Sequence, residues 1–234
     1  MPPAEDLETL ARAEPAVAAD EADGRRRRGN RTRESILQAA ADLASVEGLV
    51  GLSIGRLAAE LEMSKSGLFA HFGSKEELQL ATIDAARRRF VEHVVKPSRS
   101  LPRGRARLEA LTNDWLAYFR SEQFAGGCFF HTVKAEFDSR PDNAVREVVM
   151  EDVRQFLGLL AREVRKAQEA GDLDPAVEPE QLALALDALG AAANQQFQLM
   201  QDPVVFDRAA TAIRARLDSV AAQLSDGTTI HSTR

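Results

Sequence analysis

The chain has 234 residues, 44% of them hydrophobic and 28% charged, enough for one large or two small domains with a real core. No apolar run nears the roughly 20 residues of a membrane span, and no signal-peptide pattern opens the chain, so a cytoplasmic protein with no membrane partner is expected. The single cysteine, Cys128, excludes an internal disulfide and a cysteine-built zinc site, and no metal or cofactor is expected.

The net charge of −6 is unevenly spread. The first 23 residues carry seven acids and one Arg, whereas Arg25 to Lys75 carries nine Lys/Arg against five Asp/Glu, a local net of +4. Residues 1–29 therefore read as a disordered acidic tail ending in a basic arm, Arg25-Arg26-Arg27-Arg28. A first helix is predicted from Thr32 to Val46, with Ile36, Leu37, Ala40, Leu43 and Ala44 on one face. Gly48 stops it at a position suited to left-handed backbone. Ser53 caps a short second helix with Ile54, Leu57, Ala58 and Leu61 inward. A turn at Glu62–Met63–Ser64 leads into a third helix, Lys65 to His71, ended by Gly73. Ser74-Lys-Glu-Glu77 is a capping box opening a fourth helix, with Leu78, Ile83, Ala86, Phe90 and Val94 inward, and Pro97 is expected to end it.

Longer helices follow. Arg103–Arg120 carries Leu108, Leu111, Trp115 and Phe119, and the segment 127–137 is dense in aromatics. Pro141 is expected to open a long helix with Val145, Val149, Phe156, Leu160 and Val164, which Gly171 ends; Pro179 and Pro203 are expected to open two more. The tail from Ser225 is expected to fray. With no alternating strand pattern and no repeat, the fold class is all-α.

Two short helices joined by a tight turn and braced by a third make a helix-turn-helix, whose second helix enters the major groove. Ser64-Lys65-Ser66-Gly67 offers hydroxyls, a cation and no bulk at a helix start, which suits phosphate oxygens. The run Ser53 to Leu78 resembles the DNA-binding domain of TetR-like regulators, most specifically in Ser-Lys-x-x-Leu-aromatic-x-His-Phe-x-Ser-Lys-Glu-Glu-Leu. The close match covers residues 32–80. The resemblance implies a DNA-binding domain over 30–77, a helical ligand-binding and dimerisation domain over 78–224, and a disordered tail over 225–234. It also implies roles: Ser53 and Lys75 on phosphate, Lys65, Ser66 and Gly67 facing the groove, Phe69 where the family usually has Tyr, and His71 near the backbone. Glu62 stands where the family commonly has Gly. Arg25–Arg28 are open to two readings, insertion into a narrow minor groove or diffuse attraction to phosphates. The acidic tail is a candidate competitor for those arginines, an idea that unchanged low-salt affinity after deletion of residues 1–23 would end.

Two-fold operators need two reading heads, so a homodimer on a pseudo-palindromic site is expected. The last two helices are the expected interface, through Leu182, Leu184, Leu186 and Leu189 on one and Phe206, Ala210, Ile213, Leu217 and Val220 on the other. A pocket for an apolar or planar organic ligand is expected among Trp115, Tyr118, Phe119, Phe124, Cys128, Phe129, Phe130, Phe137, Phe156 and Phe197. His131, Thr132, Glu136, Asn194 and Gln195 are its polar candidates. Cys128 and His131, three apart, can share a helix face; with no third partner, a nucleophile or metal pair is the lesser reading, and redox sensing at Cys128 a minority one. The expected function is a one-component repressor released by its ligand. Activation instead of repression stays open, and the rival class is a helical-bundle carrier or enzyme, for which no nucleotide loop, catalytic triad spacing or metal cluster is present.

Overall fold

The computed structural model describes Leu7, residues 24–121 and residues 123–222. Its helices are α1 (Gly24–Gly51), α2 (Ile54–Glu60), α3 (Lys65–Phe69), α4 (Lys75–Phe90), α5 (Arg105–Arg120), α6 (Phe129–Phe137), α7 (Ala144–Glu169), α8 (Pro179–Met200) and α9 (Val204–Asp218). Among the described residues no strand forms; Leu173 and Ala221 make one isolated antiparallel bridge.

The predicted inward face of α1 is buried in one core cluster with Leu57 and Ala58 of α2, Leu68 of α3 and Phe72, and α1 packs mainly against α4 and α6. Helix α1 starts at Gly24, not near Thr32. Arg is a good helix former, and the backbone of Arg25–Arg28 extends α1 rather than forming a flexible arm; those side chains lie outside the described residues. Gly48 (φ 76, ψ 165) breaks the ladder as expected, but one further helical turn follows before Ser53. Leu7 is buried, so the acidic segment has at least one anchored residue. The disorder expected elsewhere in residues 1–23 and in 225–234 falls outside the described residues.

The run that begins with α4 ends at Ser98, one residue past Pro97 and so close to the expected stop. It passes through a π-helical stretch, Val91–Val95, into a last turn, Lys96–Ser98. Pro97 has no N–H for the carbonyl four residues back, and the wide turn before it absorbs the missing bond. Helix α4 thus spans the expected boundary at residue 77: its first turn lies beside the α1–α3 unit and its remainder packs against α5 and α7. Helix α7 starts at Ala144, not at Pro141, because Asn143 is the stronger cap: its side chain accepts from the Arg146 N–H at 2.9 Å. Gly171 (φ 79) ends α7 as expected, with the Asp172 N–H reaching the Ala167 carbonyl at 2.9 Å. Pro179 is the first residue of α8, while Pro203 stands just before α9, whose start is capped by Asp202 on the Val204 N–H.

Helix α5 is the central post of the larger half, touching α7, α8, α9 and the π-helical stretch. Gly190 brings α8 close to it, since a methyl there would overlap the Trp115 ring. The α9 stripe expected at an interface is instead core: Phe206, Ile213, Leu217 and Val220 are buried within the chain. Leu182 and Leu186 are buried likewise, whereas Leu184, Leu199, Met200 and Val204 are exposed on the outer side of α8 and α9.

Candidate nucleic-acid interface and ligand cavity

The helix-turn-helix is closed by side-chain caps and one strained residue. The Ser53 hydroxyl accepts from the Arg56 N–H at 3.2 Å, and the Ser64 hydroxyl accepts from the Gly67 N–H at 3.0 Å. Between them, Glu62 takes left-handed backbone (φ 52). The Met63 N–H then donates to the Ala58 carbonyl at 2.8 Å and the Glu62 N–H to the Ala59 carbonyl at 3.3 Å, the paired bonds of a Schellman end. That geometry aims α3 outward. Lys65 and Ser66 are exposed, Gly67 half-buried, and Phe69 half exposed. Gly55 leaves room for the Lys65 stem, whose Cε would lie 3.1 Å from a methyl at that position.

Besides the Ser53 cap, three more of the predicted DNA contacts already have intramolecular partners. The Ser66 hydroxyl lies 3.2 Å from that of Ser64. The His71 carbonyl accepts from Arg33 Nη1 at 2.5 Å, and the Arg33 guanidinium lies 4.2 Å from the Phe72 ring centre. Lys75 Nζ donates to the Val50 carbonyl at 2.6 Å. That carbonyl belongs to the turn after Gly48, which is held from both sides. Gln79 donates to the Leu49 carbonyl at 2.6 Å. From the other half, the Glu136 carboxylate accepts from the N–H groups of Leu49 at 2.7 Å and Val50 at 3.0 Å. A methyl on Gly48 would come within 2.6 Å of that carboxylate. Thr132 adds a bond to the Ser45 carbonyl at 3.0 Å, and the Ser45 hydroxyl accepts from the Gly126 N–H at 2.8 Å. Glu136 and Thr132, expected as ligand hooks, instead fasten α6 to α1.

The cavity lies between α4, α5, α6 and α7, with about 570 Å³ of free space including its mouth. Of the expected ligand residues, Trp115, Cys128, His131 and Phe156 line it, along with Phe130. Tyr118, Phe119, Phe129, Asn194 and Phe197 do not; they are buried in the core around α5, where the Phe197 ring lies tilted against Phe206 with centres 4.9 Å apart. Gln195 is exposed on α8. Burial pushes the Cys128 thiol up to about 11, the opposite of an activated thiolate. Burial, with Lys134 nearby, lowers His131 to about 4 and keeps its ring neutral.

The sequence did not point to several wall residues. Leu7 reaches the wall from the acidic segment, and Phe90 joins from α4. Arg87 of α4 and Asp152 of α7, 3% and 7% exposed, pair with Nε 2.7 Å from Oδ1. Asp152 Oδ2 is buried without a hydrogen-bond partner. Burial raises the Asp152 carboxyl while the Arg87 guanidinium opposes that rise. Only a charged residue on each of two inward helix faces hints at this pair in the sequence.

Two family models match the chain: "Bacterial regulatory proteins, tetR family" over residues 36–82 and "Tetracyclin repressor-like, C-terminal domain" over residues 104–213. The transcriptional regulator TcmR of Streptomyces glaucescens is 24% identical over 217 residues, covering 86% of this chain and 87% of that protein. A TetR transcriptional regulator from Chloroflexus aurantiacus superposes with a TM-score of 0.78 at 24% identity, over 85% of this chain and all of that one. A transcriptional regulator from Saccharomonospora viridis, solved with choline, superposes at 0.68 and 20% identity, over 83% and 100%.

Proposed function

Since the chain belongs to the TetR family of transcriptional regulators, we propose that it acts in the cytoplasm as a dimeric one-component repressor, released from a pseudo-palindromic operator by a small aromatic ligand. One observation carries this: α4 is shared by both sites. Its first turn holds the turn beside the reading head through Lys75 and Gln79, and Arg87 and Phe90 on the same helix line the cavity. At 1.5 Å per residue, Gln79 and Phe90 are about 16 Å apart along one rigid rod. A ligand that prefers a shifted α4 would move the head with it, and without that preference nothing moves.

On DNA, the exposed Lys65, Ser66 and Phe69 would enter the groove, with Ser53 and Lys75 on phosphates, for which Lys75 exchanges the Val50 carbonyl. The basic start of α1, Arg25–Arg28, would add salt-dependent attraction. The partner copy would cover Leu184, Leu199, Met200 and Val204, large apolar side chains that a lone chain leaves in water. The test is fluorescence anisotropy on the DNA upstream of the gene, across a salt series, with Lys65→Ala alongside. Tight, salt-sensitive binding to that fragment over random DNA, weakened by about tenfold in the variant, is expected. Binding indifferent to sequence and to Lys65 would overturn the assignment.

A further inference from the structure

The cavity wall is mostly aromatic and apolar, interrupted by His131 and Lys134 of α6 and by the Arg87–Asp152 pair. Phe90 and Phe156 meet edge to face at 5.4 Å, and Trp115 lies 4.8 Å from Phe156. Into this wall the fold places Asp152 with one oxygen bound to Arg87 and the other, Oδ2, buried and unpartnered. An oxygen of a buried carboxylate without a donor is costly, and the cost falls if a ligand supplies one. Charge narrows the donor. The lining residues include two cations, Arg87 and Lys134, and one carboxylate, Asp152. Arg87 also pairs with Asp84 at 3.4 Å, so the charges around Oδ2 nearly balance. An ammonium would lose its hydration to a carboxylate already paired, while a neutral hydroxyl satisfies Oδ2 at lower cost.

We propose that the cavity selects an uncharged planar aromatic ligand bearing a hydroxyl, which donates to Asp152 Oδ2 while its ring packs among Phe90, Trp115 and Phe156. This rests on the assignment of the cavity as the effector site. Binding there would add a third member to the Arg87–Asp152 pair, on the helix that reaches the reading head.

Trp115 is the only tryptophan of the chain and lies on the wall, so its emission, excited at the red edge of its absorption, reads occupancy. The probes are phenol, anisole, toluene and benzylammonium, titrated into the full-length protein. Phenol is expected to bind about tenfold more tightly than anisole or toluene, the ratio of a hydrogen bond to a charged acceptor, and benzylammonium to be the weakest of the four. In the double variant Arg87→Met/Asp152→Leu, which exchanges the buried pair for apolar side chains and so need not unfold the domain, the preference for phenol is expected to vanish while toluene still binds. Equal binding of phenol, anisole and toluene, a preference that survives in the double variant, or tightest binding of benzylammonium overturns the proposal and leaves the effector site standing. No response of Trp115 to any probe overturns both.

Discussion

At the scale of single residues, the least comfortable position is Glu62. Left-handed backbone costs a residue with a Cβ roughly 1–2 kcal/mol, and glycine escapes most of it. Glu62→Gly is therefore expected to raise stability by about 0.5–1 kcal/mol in chemical denaturation, after the added freedom of the unfolded chain is subtracted. It also removes an anion beside the reading head, so DNA affinity at low salt should rise in the same variant; a loss of stability would show that the left-handed backbone at 62 costs less than the unfolded-chain freedom that glycine adds. His131 supplies a pH test. Its folded value, about 4, lies below the ordinary value of 6.5, so the unfolded chain binds more protons between those limits. Stability from this group is complete above pH 6.5 and falls as pH drops toward 4, by up to about 3 kcal/mol. Denaturation midpoints for His131→Gln should lose that part of the slope. Glu62 was legible as a turn residue because two helix patterns abut there. The role of Asp152 was not, since an acid on an amphipathic helix says nothing of which oxygen finds a donor.

At the scale of elements, the turn after Gly48 shows how two helices can share one end. Its N–H groups are taken by Glu136 of α6 and its carbonyls by Lys75 and Gln79 of α4. Glu136→Ala removes two charge-assisted bonds and is expected to cost about 2 kcal/mol, a fall in Tm of about 4–8 °C for a chain of this size. Gly48→Ala meets both the positive φ and the nearby carboxylate and should cost at least as much. Thermal melts of the two variants and their combination settle the matter, because coupling through a single contact makes the double loss smaller than the sum. The sequence showed the helices and most of their inward faces, since periodicity and caps are local. It misplaced the start of α7 at Pro141 because Asn143 supplied the stronger cap. It placed the stop at Pro97, one residue from the observed end at Ser98, but not the π-helical stretch before it, which leaves no mark in residue pattern.

At the scale of the molecule, the outer side of α8 and α9 is the surface that a single chain leaves unfinished. Leu199 is 79% exposed and Met200 62%, more than an isolated solvated protein gains from. Leu199→Glu is expected to shift the protein to a monomer in sedimentation and to weaken operator binding by about 100-fold or more, since one head then binds without the other; an unchanged dimer would move the interface elsewhere. The two-part plan was legible from the motif at 53–78. The packing direction of the α9 stripe was not, because a buried stripe looks alike whether its partner is the same chain or a second copy. The clamp at Gly48 also sets where such a chain can be cut and rejoined. A chimera that keeps this reading head but borrows a relative's sensing half carries Gly48 without its carboxylate, unless an acid occupies the place of Glu136. The two halves are exchangeable as a matched set, and the matching is read at positions 48 and 136.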